Sequence, residues 1–187
     1  MRIAVLALQG AFAEHEEALR RMGAETFQVR QLSDWQQGRP DALVLPGGES
    51  TVQMRLLSRL GLLEPIRSAI AGGLPVFGTC AGMILLSKGY LGTMDIRVRR
   101  NAYGRQLGSF HTIGRVKGIG DDVPMTFIRA PFVEEVLADD AQELARVDDH
   151  IVAVRQGRQF ATAFHPELDD DTRLYQSWFD LFASAHA

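Results

Sequence analysis

The stretch Leu74-Pro75-Val76-Phe77-Gly78-Thr79-Cys80-Ala81-Gly82-Met83-Ile84-Leu85-Leu86 decides the fold, because within it an apolar strand pattern gives way to an apolar helix pattern. Residues 74–77 predict a short buried strand and residues 83–86 the start of a helix. Cys80, the only cysteine of the chain, then lies on the turn between them. Glycines two positions before and after the cysteine are typical of a nucleophile elbow. A lone cysteine is also often a small buried apolar residue, so the motif alone leaves both interpretations open.

The residues before this turn alternate between strand and helix patterns. Strands are predicted at residues 2–8, 25–29 and 42–45, and helices at residues 11–22, from Ser50 as N-cap to Gly61, and at residues 62–71. Strands that alternate with helices in this way predict a mostly parallel sheet with helices on both faces.

The second half of the chain has a different pattern, with short strand-like segments separated by Gly, Pro or Asp turns. The segments are residues 96–99, 110–116, 125–128, 144–147, 151–155 and 159–164, and a final helix is predicted at residues 172–183. We expect these strands to complete the same sheet as an antiparallel extension. Because no linker or repeat interrupts the chain, we expect residues 1–187 to form a single three-layer α/β domain.

Composition excludes several classes of protein. The chain has 187 residues and a formal net charge of -3, which gives no electrostatic footprint for nucleic acid or an anionic membrane. No apolar stretch approaches the ~20 residues that cross a bilayer, and the apolar start continues directly into Gln9-Gly10 without a signal-peptide cleavage region. A single cysteine cannot form an intramolecular disulfide, and a working thiol favours the cytoplasm. No metal-ligand spacing such as H-E-x-x-H is present, so we expect neither a metal nor a cofactor.

His165-Pro166-Glu167 offers the other groups that a cysteine nucleophile needs. The proline biases His165 toward an extended conformation, and side chains two apart in an extended segment point to the same side. His165 would then accept the proton of Cys80 while Glu167 fixes the tautomer of the ring. The simpler alternative is a histidine hydrogen-bonded at a strand end, with Glu167 as a cap.

Pro46-Gly47-Gly48-Glu49-Ser50 follows the third predicted strand, at the carboxyl edge where parallel sheets bind ligands. Its paired glycines would bring the backbone N–H of Gly48 close to a reacting carbonyl. The N–H of Ala81 would be the second donor of such an oxyanion hole. The alternative is that the motif is only a turn into a capped helix.

These residues resemble a known family. The segment 78–82 together with His165-Pro166-Glu167 resembles the class I, or triad, glutamine amidotransferases, which have a flavodoxin-like fold. Five stretches are similar to the glutaminase subunits of two-component pyridoxal 5'-phosphate synthases. They are Leu8-Gln9-Gly10-Ala11-Phe12-Ala13-Glu14-His15, Pro46-Gly47-Gly48-Glu49-Ser50-Thr51, Arg100-Asn101-Ala102-Tyr103-Gly104-Arg105-Gln106, Phe127-Ile128-Arg129-Ala130-Pro131 and Phe164-His165-Pro166-Glu167-Leu168. The resemblance extends from the first predicted strand to the final helix.

The resemblance implies that L-glutamine is hydrolysed to L-glutamate and ammonia through a glutamyl thioester on Cys80. It implies that His165 is the general acid and base and that Glu167 orients it. It also implies a substrate site formed by Gly47, Gly48, Glu49, Arg100, Ile128 and Arg129. A guanidinium suits the α-carboxylate of glutamine, and a carboxylate such as Glu49 suits its α-ammonium group.

The resemblance further implies a partner, a (β/α)₈ pyridoxal 5'-phosphate synthase subunit that receives the ammonia within a hetero-oligomer. Gln9 and residues 10–15 would face this partner, although the helical spacing of His15 also fits a half-buried helix residue. Two features depart from the family pattern: residues 87–92 form a short connection, and His111 replaces a usually acidic residue. Another class I amidotransferase or related cysteine hydrolase, or a non-catalytic binding subunit, remains an alternative.

Overall fold

A nine-stranded sheet forms the centre of a computed structural model that describes residues 1–100 and 109–183. Its first half consists of β1 (Arg2–Leu6), α1 (Phe12–Arg21), β2 (Glu25–Val29), α2 (Leu32–Gly38), β3 (Ala42–Leu45), α3 (Ser50–Arg59), α4 (Leu63–Ala71), β4 (Val76–Thr79) and α5 (Ala81–Leu86). The second half consists of β5 (Ile96–Arg99), β6 (Ser109–Val116), β7 (Gly120–Ile128), β8 (Phe132–Val136), β9 (Ala141–Val147), β10 (His150–Gln156), β11 (Gln159–Thr162), a 3₁₀ turn (Pro166–Leu168) and α6 (Arg173–Ala183).

The strand order of the main sheet is β2-β1-β3-β4-β11-β10-β8-β5, and β9 pairs with β10. The pairs from β2 to β11 are parallel, and the pairs beyond β11 are antiparallel. The predicted α/β fold, with a mostly parallel sheet and an antiparallel extension, is confirmed. The carboxyl ends of β1, β3, β4 and β11 meet at one edge of the sheet.

One part of the sheet prediction is wrong, because among the strands that the structure describes β6 and β7 pair only with each other, in a separate two-stranded sheet. Alternate residues of β6 are exposed, so this strand buries one face and not two as a central strand would. The buried face of the hairpin includes Phe127, whose ring stacks on Phe110 at 4.5 Å. The hairpin brings Ile128 toward the carboxyl edge of the main sheet.

Three local features also differ from what the sequence predicts. The helix α2 and the strand β8 were not predicted from the sequence. The N-cap of α3 is Glu49 and not Ser50: the Glu49 carboxylate accepts hydrogen bonds from the backbone N–H groups of Thr51 at 3.1 Å and Val52 at 2.8 Å. A carboxylate also suits the positive end of the helix dipole, which explains why Glu49 takes this position.

The hydrophobic core lies between the sheet and the helices on its faces. All residues of β3 and β4 are buried, and Phe77 on β4 packs against Phe160, Tyr175 and Trp178 with ring centroids 5.3 to 5.6 Å apart. Burying side chains of this size stabilises the fold by about 1.5–3 kcal/mol each. The cluster therefore holds α6 against the central strands of the sheet. None of the helices in the described ranges is long and apolar enough to cross a membrane.

Candidate active site

Cys80 lies on a sharp turn between β4 and α5. Its φ of 49° and ψ of -102° are unusual for a residue with a side chain, and such a backbone costs of the order of 1–3 kcal/mol. The turn is held by a hydrogen bond from Cys80 N–H to the carbonyl of Thr162, at 2.8 Å. A methyl group at Gly82 would lie 1.9 Å from the carbonyl oxygen of Leu45, so only glycine permits this close approach. The structure therefore has the strand-turn-helix geometry that the sequence predicts.

His165 follows β11, the strand that pairs in parallel register with β4. Its ring Nδ1 lies 2.7 Å from Oε1 of Glu167, and both side chains are buried. The contact does not arise from an extended segment, as expected from the sequence, because residues 166–168 form a 3₁₀ turn. Nor does Glu167 act as a cap, since its carboxylate binds the imidazole instead.

The charges of these two residues depend on each other. Burial lowers the pKa of His165, but interactions with the Cys80 sulfur and the Glu167 carboxylate outweigh burial and raise the pKa to about 10. Burial raises the pKa of Glu167, but His15 and His165 outweigh it and hold the pKa below its ordinary value. At neutral pH the pair is therefore an imidazolium beside a carboxylate. His165 Nε2, which makes no hydrogen bond of ordinary length with the described residues, is the ring nitrogen left for Cys80.

Gly47 shows how closely Cys80 and His165 approach each other. A methyl group built at Gly47 would lie 2.4 Å from His165 Cε1 and 3.4 Å from Cys80 Cβ, so both side chains border the same point. A pocket of about 450 Å³ opens there, a size that suits a small molecule. Its lining consists of Gln9, Gly10, Ala11, Gly47, Gly48, Glu49, Ser50, Cys80, Ile84, Arg100, Ile128, Arg129, Pro131 and His165. The structure thus brings together every predicted substrate residue with the predicted nucleophile and base.

The glycine loop is fixed from two sides. Gly47 N–H donates to Thr79 Oγ1 at 3.1 Å, and Gly47 C=O accepts from Ala11 N–H at 3.1 Å. The peptide bond between Gly47 and Gly48 is trans, so its N–H and C=O groups point in opposite directions. Because the Gly47 carbonyl points toward Ala11, the N–H of Gly48 points away from Ala11. Ala81, the other predicted oxyanion donor, is the first residue of α5, where backbone N–H groups have no partner within the helix.

Glu49 and Arg100 form an ion pair at the mouth of the pocket. Arg100 Nη2 lies 3.0 Å from Glu49 Oε1, and Arg100 Nη1 donates to Thr51 Oγ1 at 3.1 Å. Burial raises the pKa of Glu49, but the backbone N–H groups of Thr51 and Val52 and the charge of Arg100 lower it below its ordinary value. The pocket therefore presents one negative and one positive group side by side. Both side chains are 40% exposed or more, so a ligand can reach them.

Ile128 is the last residue of β7 and Arg129 follows it, and both line the pocket. The carbonyl of Ile128 is 3.9 Å from Cys80 Sγ, and Arg129 has a positive φ of 44°. The rest of the motif after Arg100, at residues 101–106, lies outside the described residues. His111 lies on the β6–β7 hairpin and contacts Thr126 Oγ1 through Nδ1 at 3.0 Å, away from the pocket lining.

The side chain of His15 is fully buried, so the expectation of a half-buried helix residue is wrong. Its ring contacts Tyr175 OH at 2.7 Å and Thr79 Oγ1 at 2.9 Å. Sequence reasoning missed Thr79 and Tyr175 as neighbours of the site. The helical spacing of His15 with Phe12 and Leu19 was the available signal, since it places the histidine on the inward face of α1.

A strained cysteine at a strand-to-helix turn, beside a histidine held by a glutamate in an α/β fold, is the arrangement of the cysteine-dependent hydrolases and amidotransferases. Comparison with known sequences narrows this class. The chain belongs to the SNO glutamine amidotransferase family, whose sequence pattern it matches over residues 5–183.

Individual relatives agree with this assignment. The chain is 52% identical over 190 residues to a pyridoxal 5'-phosphate synthase subunit PdxT of Streptococcus pneumoniae strain CGSP14, with 97% of each chain covered. A crystal structure of a glutamine amidotransferase superposes with a TM-score of 0.88 at 40% identity, covering 97% of this chain and 98% of that one. A putative GMP synthase protein from Thermoplasma acidophilum, with a TM-score of 0.74 at 18% identity and coverage of 100% and 96%, shares the fold.

Proposed function

We propose that this chain is the glutaminase subunit of a pyridoxal 5'-phosphate synthase. It hydrolyses L-glutamine to L-glutamate and ammonia and supplies the ammonia to a synthase subunit. The observation that carries the proposal is the convergence of Cys80, His165 and Gly47 at one point of a pocket, with Glu167 bound to the far side of the imidazole. The 52% identity to a synthase subunit of Streptococcus pneumoniae supports the assignment of the partner.

The reaction proceeds in two half-reactions. The Cys80 thiolate attacks the side-chain carbonyl carbon of glutamine, and the carbonyl oxygen becomes an oxyanion. Protonated His165 gives its proton to the departing nitrogen, so that the C–N bond breaks and ammonia leaves with a thioester on Cys80. His165, now neutral, takes a proton from a water molecule that attacks the thioester, and the C–S bond breaks to release glutamate. Glu167 stabilises the imidazolium at each stage at which His165 is protonated.

Two backbone N–H groups, those of Gly48 and Ala81, bind the oxyanion in this proposal. The direction of the Gly48 N–H, away from Ala11, and the position of Ala81 at the start of α5 support these roles. Each such donor contributes about 2.7–4 kcal/mol of transition-state stabilisation.

Glutamine is recognised through its α-carbon groups. Its α-ammonium group binds Glu49 and its α-carboxylate binds Arg100, so that the substrate replaces the ion pair between these two side chains. Gly47, Gly48, Ile128 and Arg129 complete the wall around the side-chain amide.

The partner, a (β/α)₈ synthase subunit in a hetero-oligomer, docks against Gln9 and residues 10–14; His15, the last residue of the expected segment, is fully buried and is not part of this surface. Ala11 binds the Gly47 carbonyl and the Gln9 side chain accepts from Glu49 N–H at 2.6 Å, so docking there acts on the oxyanion loop.

We also propose that residues 1–187 form a single domain and that the protein works in the cytoplasm.

The test is ammonia release from glutamine, with and without a candidate synthase subunit. We expect the partner to stimulate release by the wild type, and Cys80→Ser to abolish it. Arg158→Gln, an exposed change at the opposite edge of the sheet, is the matched control and should retain full activity. Normal turnover by Cys80→Ser would end the proposed mechanism, and stimulation only by an unrelated biosynthetic enzyme would favour another amidotransferase.

A further inference from the structure

A buried polar network lies behind the proposed triad, and no step of the proposed reaction uses its members His15, Thr79 and Tyr175. Its centre is His15 on α1, whose side chain is fully buried. Nδ1 of the ring lies 2.7 Å from Tyr175 OH. Nε2 lies 2.9 Å from Thr79 Oγ1 and 3.4 Å from Glu167 Oε2. One ring therefore connects three elements that are distant in sequence.

The protonation of this ring follows from its surroundings. Burial lowers the pKa of His15, although Glu167 opposes this effect, so the imidazole is neutral at neutral pH. Burial also raises the pKa of Tyr175 well above its ordinary value, so its hydroxyl keeps its proton. Nε2 lies 3.4 Å from the Glu167 carboxylate, which can only accept, so the single proton of the neutral ring is on Nε2 and the tyrosine hydroxyl donates to Nδ1. His15 thus presents an N–H group to Thr79 and Glu167.

Both acceptors of this N–H group lead to the reacting atoms. Thr79 Oγ1 accepts from His15 and also from the backbone N–H of Gly47, which occupies both of its lone pairs. Glu167 binds His165 through Oε1, whereas its buried Oε2 makes no hydrogen bond of ordinary length with the described residues. The N–H of His15 is the donor that stands beside this oxygen. A buried carboxylate oxygen without a hydrogen bond destabilises the folded state, so a donor beside it stabilises the fold.

We propose that His15 is a positioning residue: through its Nε2–H it holds the Glu167 carboxylate and the Thr79 hydroxyl, and so fixes both the His165 imidazole and the Gly47 backbone. This role rests on the proposed glutaminase function. His15 does not touch the substrate, because it lies behind Glu167 and is absent from the pocket lining. Its loss should therefore lower kcat and leave the KM for glutamine unchanged.

Two isosteric substitutions separate this role from simple packing. The amide nitrogen of His15→Gln is as many bonds from the backbone as Nε2, so this variant keeps a donor toward Thr79 and Glu167. The amide of His15→Asn reaches only the position of Nδ1, so this variant keeps a partner for Tyr175 and loses the donor. We expect kcat to fall roughly tenfold or more in His15→Asn, with KM within about twofold of the wild type. We expect His15→Gln to recover most of that loss.

The measurement is steady-state ammonia release from glutamine by the complex with the synthase subunit, together with thermal unfolding of each variant. Equal kcat values for the two variants, whether high or low, would overturn the proposal, and so would a loss confined to KM. If neither variant folds, Thr79→Val against Thr79→Ser makes the same test at the hydroxyl, where only serine should retain kcat. An inactive wild type would instead refute the proposed function, which separates the two failures.

Discussion

Substituting Gly47 by alanine tests the geometry of the site directly. The added methyl group would lie 2.4 Å from His165 Cε1 and 3.1 Å from Nδ1. Carbon atoms in contact normally lie ~3.5–4.0 Å apart, so the loop or the imidazole must move by roughly 1 Å. The loop cannot move freely, because its Gly47 peptide groups are bound to Thr79 and Ala11. The imidazole is therefore displaced from Cys80.

A displacement of this size in a catalytic group costs about 10²-fold in rate. We expect kcat for ammonia release by Gly47→Ala to fall roughly 100-fold in the presence of the synthase subunit. The overpacked methyl group should also destabilise the fold by about 1–3 kcal/mol. Since Gly47 does not have a positive φ, the effect comes from contacts and not from backbone strain.

Gly73→Ala is the matched control. Gly73 has a φ of 97°, and a methyl group there meets no atom of the described residues within 4 Å. The control should lose about 1–2 kcal/mol through backbone strain while kcat stays unchanged. If Gly47→Ala and Gly73→Ala had the same kcat, His165 would not lie against Gly47 in the working enzyme, and the arrangement of the site described above would be refuted.

Three further predictions concern the charges of the site. In Glu167→Gln, the pKa of His165 should fall well below about 10, because burial is then opposed by Cys80 alone. NMR titration of the imidazole measures this, and an unchanged value would contradict the assigned cause. Because the folded pKa of His165 is raised, its contribution to stability is complete below pH 6.5 and is lost as the pH rises toward 10. Because the lowered pKa of Glu167 makes its own contribution complete only above pH 4.5, urea unfolding of the wild type and of Glu167→Gln should differ most between pH 4.5 and 6.5 and converge at high pH. In Arg100→Lys, the KM for glutamine should rise roughly tenfold with little change in kcat. The reason is that an ammonium group cannot bind a carboxylate through two parallel N–H groups. A loss confined to kcat would show that Arg100 does not bind the substrate.

The sequence predicted the central parallel strands β1, β3 and β4 because each contains an apolar run. Residues 42–45 and 76–79 are all buried, and short buried runs of this kind are typical of strands covered on both faces of a parallel sheet. The helix Leu32–Gly38 escaped prediction because it is short and polar, and its capping box between Gln31 and Asp34 begins with a residue that is not a usual N-cap. The separate pairing of β6 with β7 also could not be predicted, since strand pattern does not specify which strand is the partner.

The site was predictable to the extent that its groups lie in local motifs. Cys80 and His165 stand in short segments whose chemistry is visible in the sequence. His15 was misjudged because its environment depends on long-range packing: Tyr175, its hydrogen-bond partner, is 160 residues away. Helical spacing reports the inward face of α1 but not whether that face meets apolar or polar groups.

The arrangement of the strands also separates the parts of the site that are rigid from the part that can respond to a partner. Strands β4 and β11 pair in register, with Thr79 opposite Thr162, and Cys80 N–H binds the Thr162 carbonyl. The proposed nucleophile and base are therefore carried by two central strands whose spacing the sheet fixes. The Gly47 peptide instead depends on two hydrogen bonds, one to Thr79 in the core and one to Ala11 near the surface. A partner that docks near residue 11 can change the second bond without disturbing the first, so regulation should act on oxyanion binding and leave the Cys80–His165 pair intact.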